Sequence, residues 1–456
     1  MNLLVKDKCF YKKMAVIAIP ISLQSMITIG VNMTDTVMVG KLGETSLSAT
    51  ALANQFVNIY QICCMGIAMG ASVLTSRFWG MQDITSLKKT ITLMLRLCIV
   101  LAVLFMLPTI LIPQLLMRMY TSDSAVIAQG VQYFKWMVYC YFLQGMTMTC
   151  TIVLRSVGQV NFPLFTSIGS FFVNILFNYM FIFGKLGVPR MEVEGAGVGT
   201  LIARVFEFSL ICGYFLFVDR KIGYRLKDLR MKCNSLIKDY VSISIPVFVS
   251  DSLLALGTSA VAMVMGRIGT GFVSANSITV VTQQLTTVVI QGICHASCIM
   301  TGHTLGHGER EKAQQQAWTF LILGLVVGIL GGGLIKVLSR PIIGLYNITP
   351  ETAQIAGELM DAIAFIVIFQ SMNSILTKGV LRGGGDTKFL MVADIIFLWA
   401  ASLPLGILAG LVWHLDAFWI YVFLKIDQIC KSIWCVFRLR SGKWIKTFSK
   451  EKMNHA

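Results

Sequence analysis

Twelve apolar runs, each about 20 residues or longer, decide what this chain can fold into. Breaks at Gly, Pro and charged clusters place the first six at 14–38, 47–76, 91–116, 130–152, 162–185 and 194–217. The second six fall at 239–263, 274–302, 316–338, 355–378, 388–412 and 417–437. Hydrocarbon offers no partner to a backbone N–H or C=O, so runs of this kind must close their hydrogen bonds internally, as helices. Composition agrees. Of 456 residues 56% are apolar and only 13% are charged, against about 25% charged in a soluble domain. Disordered chains are poor in apolar residues and rich in charge, so disorder is excluded. The formal charge is nevertheless +16. A nucleic-acid binder could be as basic, but not at a mean hydropathy of +0.74.

The basic residues test the layout, because their distribution between the two sides of the membrane plays no part in setting the span boundaries. Lys6, Lys8, Lys12 and Lys13 precede the first run, and six more cations follow the last. Counting the span-edge residues Lys378, Lys388, Lys185 and Lys336 with the connections they adjoin, that side holds 26 of the 38 Lys and Arg together with the even-numbered connections, while the odd-numbered connections hold 7. Basic residues collect on the cytoplasmic side. The chain is therefore expected to be a multi-pass protein of the cell (plasma) membrane with both termini cytoplasmic. Its partner is then the lipid bilayer, with no nucleic acid needed to balance the charge. Met1–Lys13 is short and basic and runs into the first span without a small-residue cleavage site, so no secretory signal is expected. The twelve Cys show no zinc spacing, and Cys63–Cys64 and Cys294/Cys298 read as small helix residues. His303 and His307 are expected at a solvated helix end, not on a metal.

A shift of 226 positions aligns 19–83 with 245–309 without a gap, with ten of 65 residues identical. Ile19-Pro20 meets Ile245-Pro246, Gly40 and Gly43 meet Gly266 and Gly269, and Gly80 meets Gly306. Tyr120/Tyr346 continue the register, and Leu154-Arg155 matches Leu381-Arg382 one residue further on. The matches favour Gly and Pro, where backbone geometry fixes the residue. The expectation is an all-α integral membrane protein: twelve transmembrane helices in two six-helix lobes, related by a pseudo-two-fold along the membrane normal. The lobes would be 1–217 and 239–437, joined by a basic cytoplasmic linker, 218–238, and followed by a basic tail, 438–456. Parallel repeats of this kind belong to alternating-access transporters, whose substrate sits between the halves.

The string Asp35-Thr-Val-Met-Val-Gly40-Lys-Leu-Gly43, following Ile19-Pro20, resembles the first helix of MATE (multidrug and toxic compound extrusion) transporters. Leu154-Arg155-Ser-Val-Gly158-Gln, Asn174-Ile-Leu-Phe-Asn178, Gly195-Ala-Gly197-Val-Gly-Thr200 and Leu381-Arg382-Gly-Gly-Gly-Asp386 are similar to further family segments. The likeness spans about 14–437. It implies a secondary active antiporter exporting small organic cations or amphiphilic drugs in exchange for inward H⁺ or Na⁺ by alternating access; a monomer is expected. No cofactor is expected beyond that ion, and no phosphate-binding loop is seen.

An ionisable group inside a span is a functional hypothesis by default. Asp35 lies near one end of the first span among Asn32, Thr34 and Thr36, with no basic residue within five positions. A proton could neutralise it; so could Na⁺, a hard cation that takes oxygen ligands. Asn174 and Asn178 are one turn apart and share a face of the fifth span. The resemblance places them opposite Asp35, with Thr200 nearby, although many relatives carry Asp where this chain has Asn178. The two amides either contact the ion or join helices by hydrogen bonds alone. Arg204 and Glu207, three apart, form either a structural ion pair or a gating contact with Asp35. Asp251 in the seventh span is the candidate of the second lobe. Asp361, Asp394 and Asp427 are expected nearer interfaces, solvated or paired. Pro20 and Pro246 are hinges or static kinks. The chief alternative function is a lipid or lipid-linked saccharide flippase. That activity needs a basic central cavity, which the few Lys and Arg within the spans argue against. An enzyme is disfavoured, because none of the five His accompanies a convincing nucleophile.

Overall fold

The computed structural model describes residues 4–344 and 348–447; Tyr346, Lys450 and Lys452 lie outside the described residues. Each apolar run lands on helix. The first half gives α1 (Lys8–Gly40), α2 (Glu44–Gly80), α3 (Ile84–Leu111), α4 (Ser124–Ser156), α5 (Asn161–Phe183) and α6 (Glu192–Val218). The second gives α7 (Asn234–Ile268), α8 (Thr270–Gly306), α9 (Arg310–Ile343), α10 (Pro350–Leu381) and α11 (Thr387–Val412). The twelfth, α12, comes in two pieces, Ala417–Leu424 and Ile426–Arg440, that break at Lys425. Ten of the twelve are each long and apolar enough to cross a bilayer, and α8 makes an eleventh when its bent halves are taken together. Most helices outrun the apolar run that nucleates them. Hydropathy falls where the chain meets water, whereas the i→i−4 ladder continues until a capping residue ends it.

Those caps are readable. Asp83 accepts from Ser86 N at 3.0 Å to start α3, and Asp123 accepts from Ala125 N at 2.9 Å to start α4. Thr349 caps α10 ahead of Pro350 at the first helical position. After α4 the chain turns at Gly158 with φ +80°, and after α10 at Gly385 with φ +86°. Both are left-handed positions that disfavour any Cβ, and they lie 227 residues apart. The repeat is thus a repeat of backbone conformation.

Two compact units form, 23–244 and 1–22 with 245–456. This division differs from the sequence expectation of lobes at 1–217 and 239–437. The boundaries fall inside α1, two residues after Pro20, and inside α7, just before Pro246. Both helices run unbroken past their prolines. Residues 218–238, expected as a separate linker, belong to the first unit. Lys88 Nζ donates to Gly223 O at 2.6 Å, Thr92 Oγ1 lies 2.9 Å from Tyr224 OH, and Arg96 donates to Met231 O at 3.1 Å. Charge and hydrogen bonding therefore lay this polar segment along α3. The core of unit 23–244 is aromatic, with Tyr60 edge-on to Tyr141 at 4.9 Å between ring centroids. The other unit packs aliphatic side chains of α7, α8, α10 and α12, including Val261, Ile278, Ile363 and Ile420.

Candidate functional site

Asp35 sits in the last two turns of α1, and its carboxylate Oδ1 accepts from Asn178 Nδ2 at 2.7 Å. The same amide nitrogen donates to Asn174 Oδ1 at 3.2 Å. The two asparagines of α5 therefore act as one unit, with Asn178 clamped between the neighbouring amide and the carboxylate. Both are nearly fully buried, at 3% and 1% exposure, where an unmade hydrogen bond would be expensive. Their placement depends on Gly199 of α6: a Cβ there would collide with Asn178 Oδ1, and also with its backbone N at 2.8 Å. Among the described residues no basic group comes within ion-pairing distance of Asp35.

A cavity of about 360 Å³ opens beside this carboxylate. Asp35, Asn174, Thr200, Arg204 and Glu207 all line it, so five of the sequence candidates converge on one space. Arg204 Nη1 bonds Glu207 Oε2 at 2.8 Å, and both face the cavity. The hydroxyls of Thr34 and Thr36 turn back on their own helix, donating to Gly30 O at 2.8 Å and Asn32 O at 2.7 Å. This local bonding competes with any outward role.

The opposite wall was missed from sequence. Asn54, Asn58 and Gln61 of α2 line the cavity, and Tyr133 OH donates to Asn54 Oδ1 at 3.2 Å. A signal existed, since positions 54, 58 and 61 recur at i, i+4 and i+7 and so form a polar stripe inside an apolar run.

In the other unit Asp251 has a different setting. Arg382 grips it with both terminal nitrogens, Nη2–Oδ1 at 3.0 Å and Nη1–Oδ2 at 3.3 Å. Asp394 and Asp427, expected to be solvated or paired, are paired and buried, at 6% and 1% exposure. They share Lys431, whose Nζ is 3.0 Å from Asp394 Oδ1 and 3.0 Å from Asp427 Oδ2. Asp361 pairs with Lys336 at an exposed position. Arg155 and Arg382, loop cations by hydropathy, reach from helix ends to Gln24 and Asp251. Lys378, Arg382, Lys425 and Lys431 collect with Asp394 and Asp427 around one space in this unit.

Long apolar helices with polar, partly charged cavities inside them define a multi-pass membrane protein. The MatE family model matches residues 20–180 and 246–429, so the chain belongs to the MatE family. It is 23% identical over 438 residues to a protein of Thermotoga maritima described as "Probable multidrug resistance protein NorM", covering 95% of this chain and 93% of that one. It is 24% identical over 419 residues to the "Uncharacterized transporter YisQ" of Bacillus subtilis, covering 90% of each. The fold matches a crystallised Asp-to-Asn mutant of the Vibrio cholerae MATE transporter VcmN. That match has a TM-score of 0.86 at 16% identity and covers 95% of this chain and 97% of that chain. A MATE crystallised in a bent conformation matches with a TM-score of 0.84 at 19% identity, covering 95% and 96%. The two-lobe MATE fold is thus the fold of this chain.

Proposed function

We propose that the protein is a multidrug efflux antiporter that exports small organic cations or amphiphilic drugs, driven by inward H⁺ or Na⁺ through alternating access. The observation that carries this reading is the hydrogen-bonded carboxylate of Asp35 on a polar cavity without a basic partner. Relatives described as multidrug resistance proteins support the substrate class.

A carboxylate in this setting has two ways to lose its charge. A proton on Oδ2 leaves Oδ1 as a carbonyl that still accepts from Asn178, whereas a proton on Oδ1 makes that oxygen a donor and forces the bond to rearrange. Na⁺ would take the carboxylate with amide oxygens of Asn174 and Asn178, and with Thr200 Oγ1 from α6. Asn178 Oδ1 is buried without a hydrogen-bond partner, which fits an oxygen available to a cation. Either occupant removes the cost of a buried charge and biases the equilibrium between two states of the helices around it. The Arg204–Glu207 pair on the same wall is positioned to report that change, because its guanidinium field acts across the cavity. Before an ion arrives, the open carboxylate attracts a cationic drug; once the ion is bound that attraction ends. This reciprocity is the physical basis of exchange. Pro20 and Pro246, next to the unit boundaries, are the candidate hinges. The 26-to-7 bias of basic residues supports a cell-membrane protein with both termini cytoplasmic. We assign function to a monomer.

The test is dye efflux from proteoliposomes with a pH gradient and a Na⁺ gradient imposed separately. Export driven by one gradient identifies the ion. Export that ignores both removes the antiport reading.

A further inference from the structure

The unit of 1–22 and 245–456 encloses its own cavity, of about 220 Å³, and its charge is opposite in sign to that of the Asp35 cavity. Four cations line it: Lys378, Arg382, Lys425 and Lys431. Two carboxylates, Asp394 and Asp427, line it as well, and both are taken by Lys431 at 3.0 Å. Arg382 is held by Asp251. That leaves the ammonium groups of Lys378 and Lys425 with no carboxylate in ion-pairing distance among the described residues, and the cluster one positive charge in excess even when Asp251 is counted.

The positions of these groups are built into the fold. Lys425 stands where α12 breaks between Leu424 and Ile426, with φ −121° and ψ 16°. The first piece, Ala417–Leu424, carries no charge, and the break sets a lysine directly after it. Two further polar atoms on the cavity residues are unsatisfied, a donor and an acceptor. Arg382 Nε and Asn373 Oδ1 have no hydrogen-bond partner, although their residues are only 4% and 5% exposed. Buried groups of this kind are normally paired. Leu254, Val261 and Leu398 supply an apolar wall beside them.

We propose that this cavity binds an organic anion through a single carboxylate, held between Lys425 and Lys378 and hydrogen-bonded by Arg382 Nε. One negative charge neutralises the excess, and the apolar wall takes the hydrocarbon part. Two charges would exceed it. An uncompensated positive charge beside a protein-walled cavity attracts a carboxylate more strongly than it would in bulk water, and that attraction gives the ligand its affinity. The site lies in the unit that lacks Asp35 and does not depend on ion coupling there. With it, the chain accepts zwitterionic and anionic compounds as well as cations.

Benzoate and benzamide, which share a shape and differ in charge, test the site by calorimetric titration of the purified full-length chain in detergent. Benzoate is expected to bind at least tenfold tighter than benzamide. Lys425→Gln should weaken benzoate at least tenfold, and Lys378→Gln, at an exposed side chain, gives the same readout should the first variant fail to fold. Asp35→Asn should leave benzoate binding unchanged, which separates this site from the antiport reading. Equal affinity for the two probes on the unmodified chain, or unchanged benzoate affinity in a folded Lys425→Gln or Lys378→Gln protein, overturns the proposal.

Discussion

Arg382 and Asp251 form a two-pronged ion pair between the end of α10 and α7, and it has a counterpart 227 residues earlier, where Arg155 Nη2 donates to Gln24 Oε1 between α4 and α1. The arginine is kept in both halves while its acceptor changes from an amide to a carboxylate. Removing the carboxylate strands a guanidinium at 4% exposure. Asp251→Ala should therefore destabilise the protein by about 3–5 kcal/mol, and the double variant Asp251→Leu/Arg382→Met should recover most of the loss. Thermal unfolding in detergent decides it. A double variant no better than the single one would show that packing, not the stranded charge, sets the stability.

The bond from Asn178 to Asp35 predicts two separable effects on transport. Asp35→Asn keeps the shape and removes the charge, so gradient-driven dye efflux from proteoliposomes should cease while the protein remains folded. Asn178→Leu keeps the charge but removes a hydrogen bond to it, which is about 1.5–3 kcal/mol. The coupling-ion dependence should then shift by roughly tenfold or more with efflux retained at saturating gradient. Efflux by Asp35→Asn at the unmodified rate would take this carboxylate out of the mechanism.

Gly199 is predicted to be a transport residue although it carries no side chain. A methyl group there meets Asn178 at both Oδ1 and backbone N, 2.8 Å from the latter, so the amide that holds Asp35 must move. At Gly213, in the same helix, a methyl group would have nothing within 4 Å. Gly199→Ala should lower efflux severalfold, and Gly213→Ala should leave it intact with a stability gain of about 0.5–1 kcal/mol. Parallel efflux and unfolding measurements on the two variants separate local displacement from a general effect of alanine.

The segment 218–238 carries a pH-sensitive clasp. Burial acts to raise the Asp228 carboxyl, but the Arg225 N–H at 3.0 Å and the Lys88 ammonium at 3.0 Å outweigh it and hold the group below its usual 3.8. A folded-state value below the unfolded one gives stability that is present above pH 3.8 and lost as pH falls through the depressed value. Both side chains are 22% exposed, so the contribution is of the order of 0.5–1 kcal/mol. Amide exchange of residues 224–231 should quicken in Asp228→Asn at neutral pH, with no change in the helices distant from it. Equal exchange in the variant and the parent would show that Arg96 and Thr92 hold the segment without Asp228.

The membrane class, the twelve helices and the repeat were legible in the residues, for a common reason, while the meeting of Asn174, Asn178 and Thr200 with Asp35 was implied only by the family resemblance. Hydropathy, Gly and Pro are local constraints: an apolar run must close its own hydrogen bonds, and a left-handed turn selects glycine wherever the chain lies. Asp35, Asn174 and Asn178 announce themselves by polarity within such runs, and the stripe of Asn54, Asn58 and Gln61 carries the same signal. What the sequence could not determine is which charge meets which. Asp427 has Lys425 and Lys431 as close neighbours along the chain, yet only Lys431 pairs with it, and it does so while also holding Asp394 from α11. Asp251 finds its arginine 131 residues away. The unit boundaries inside α1 and α7 were equally hidden, because a continuous helix shows no break where its packing partners change. Propensity and hydropathy act along the chain. Pairing and packing depend on distances that only the tertiary structure creates.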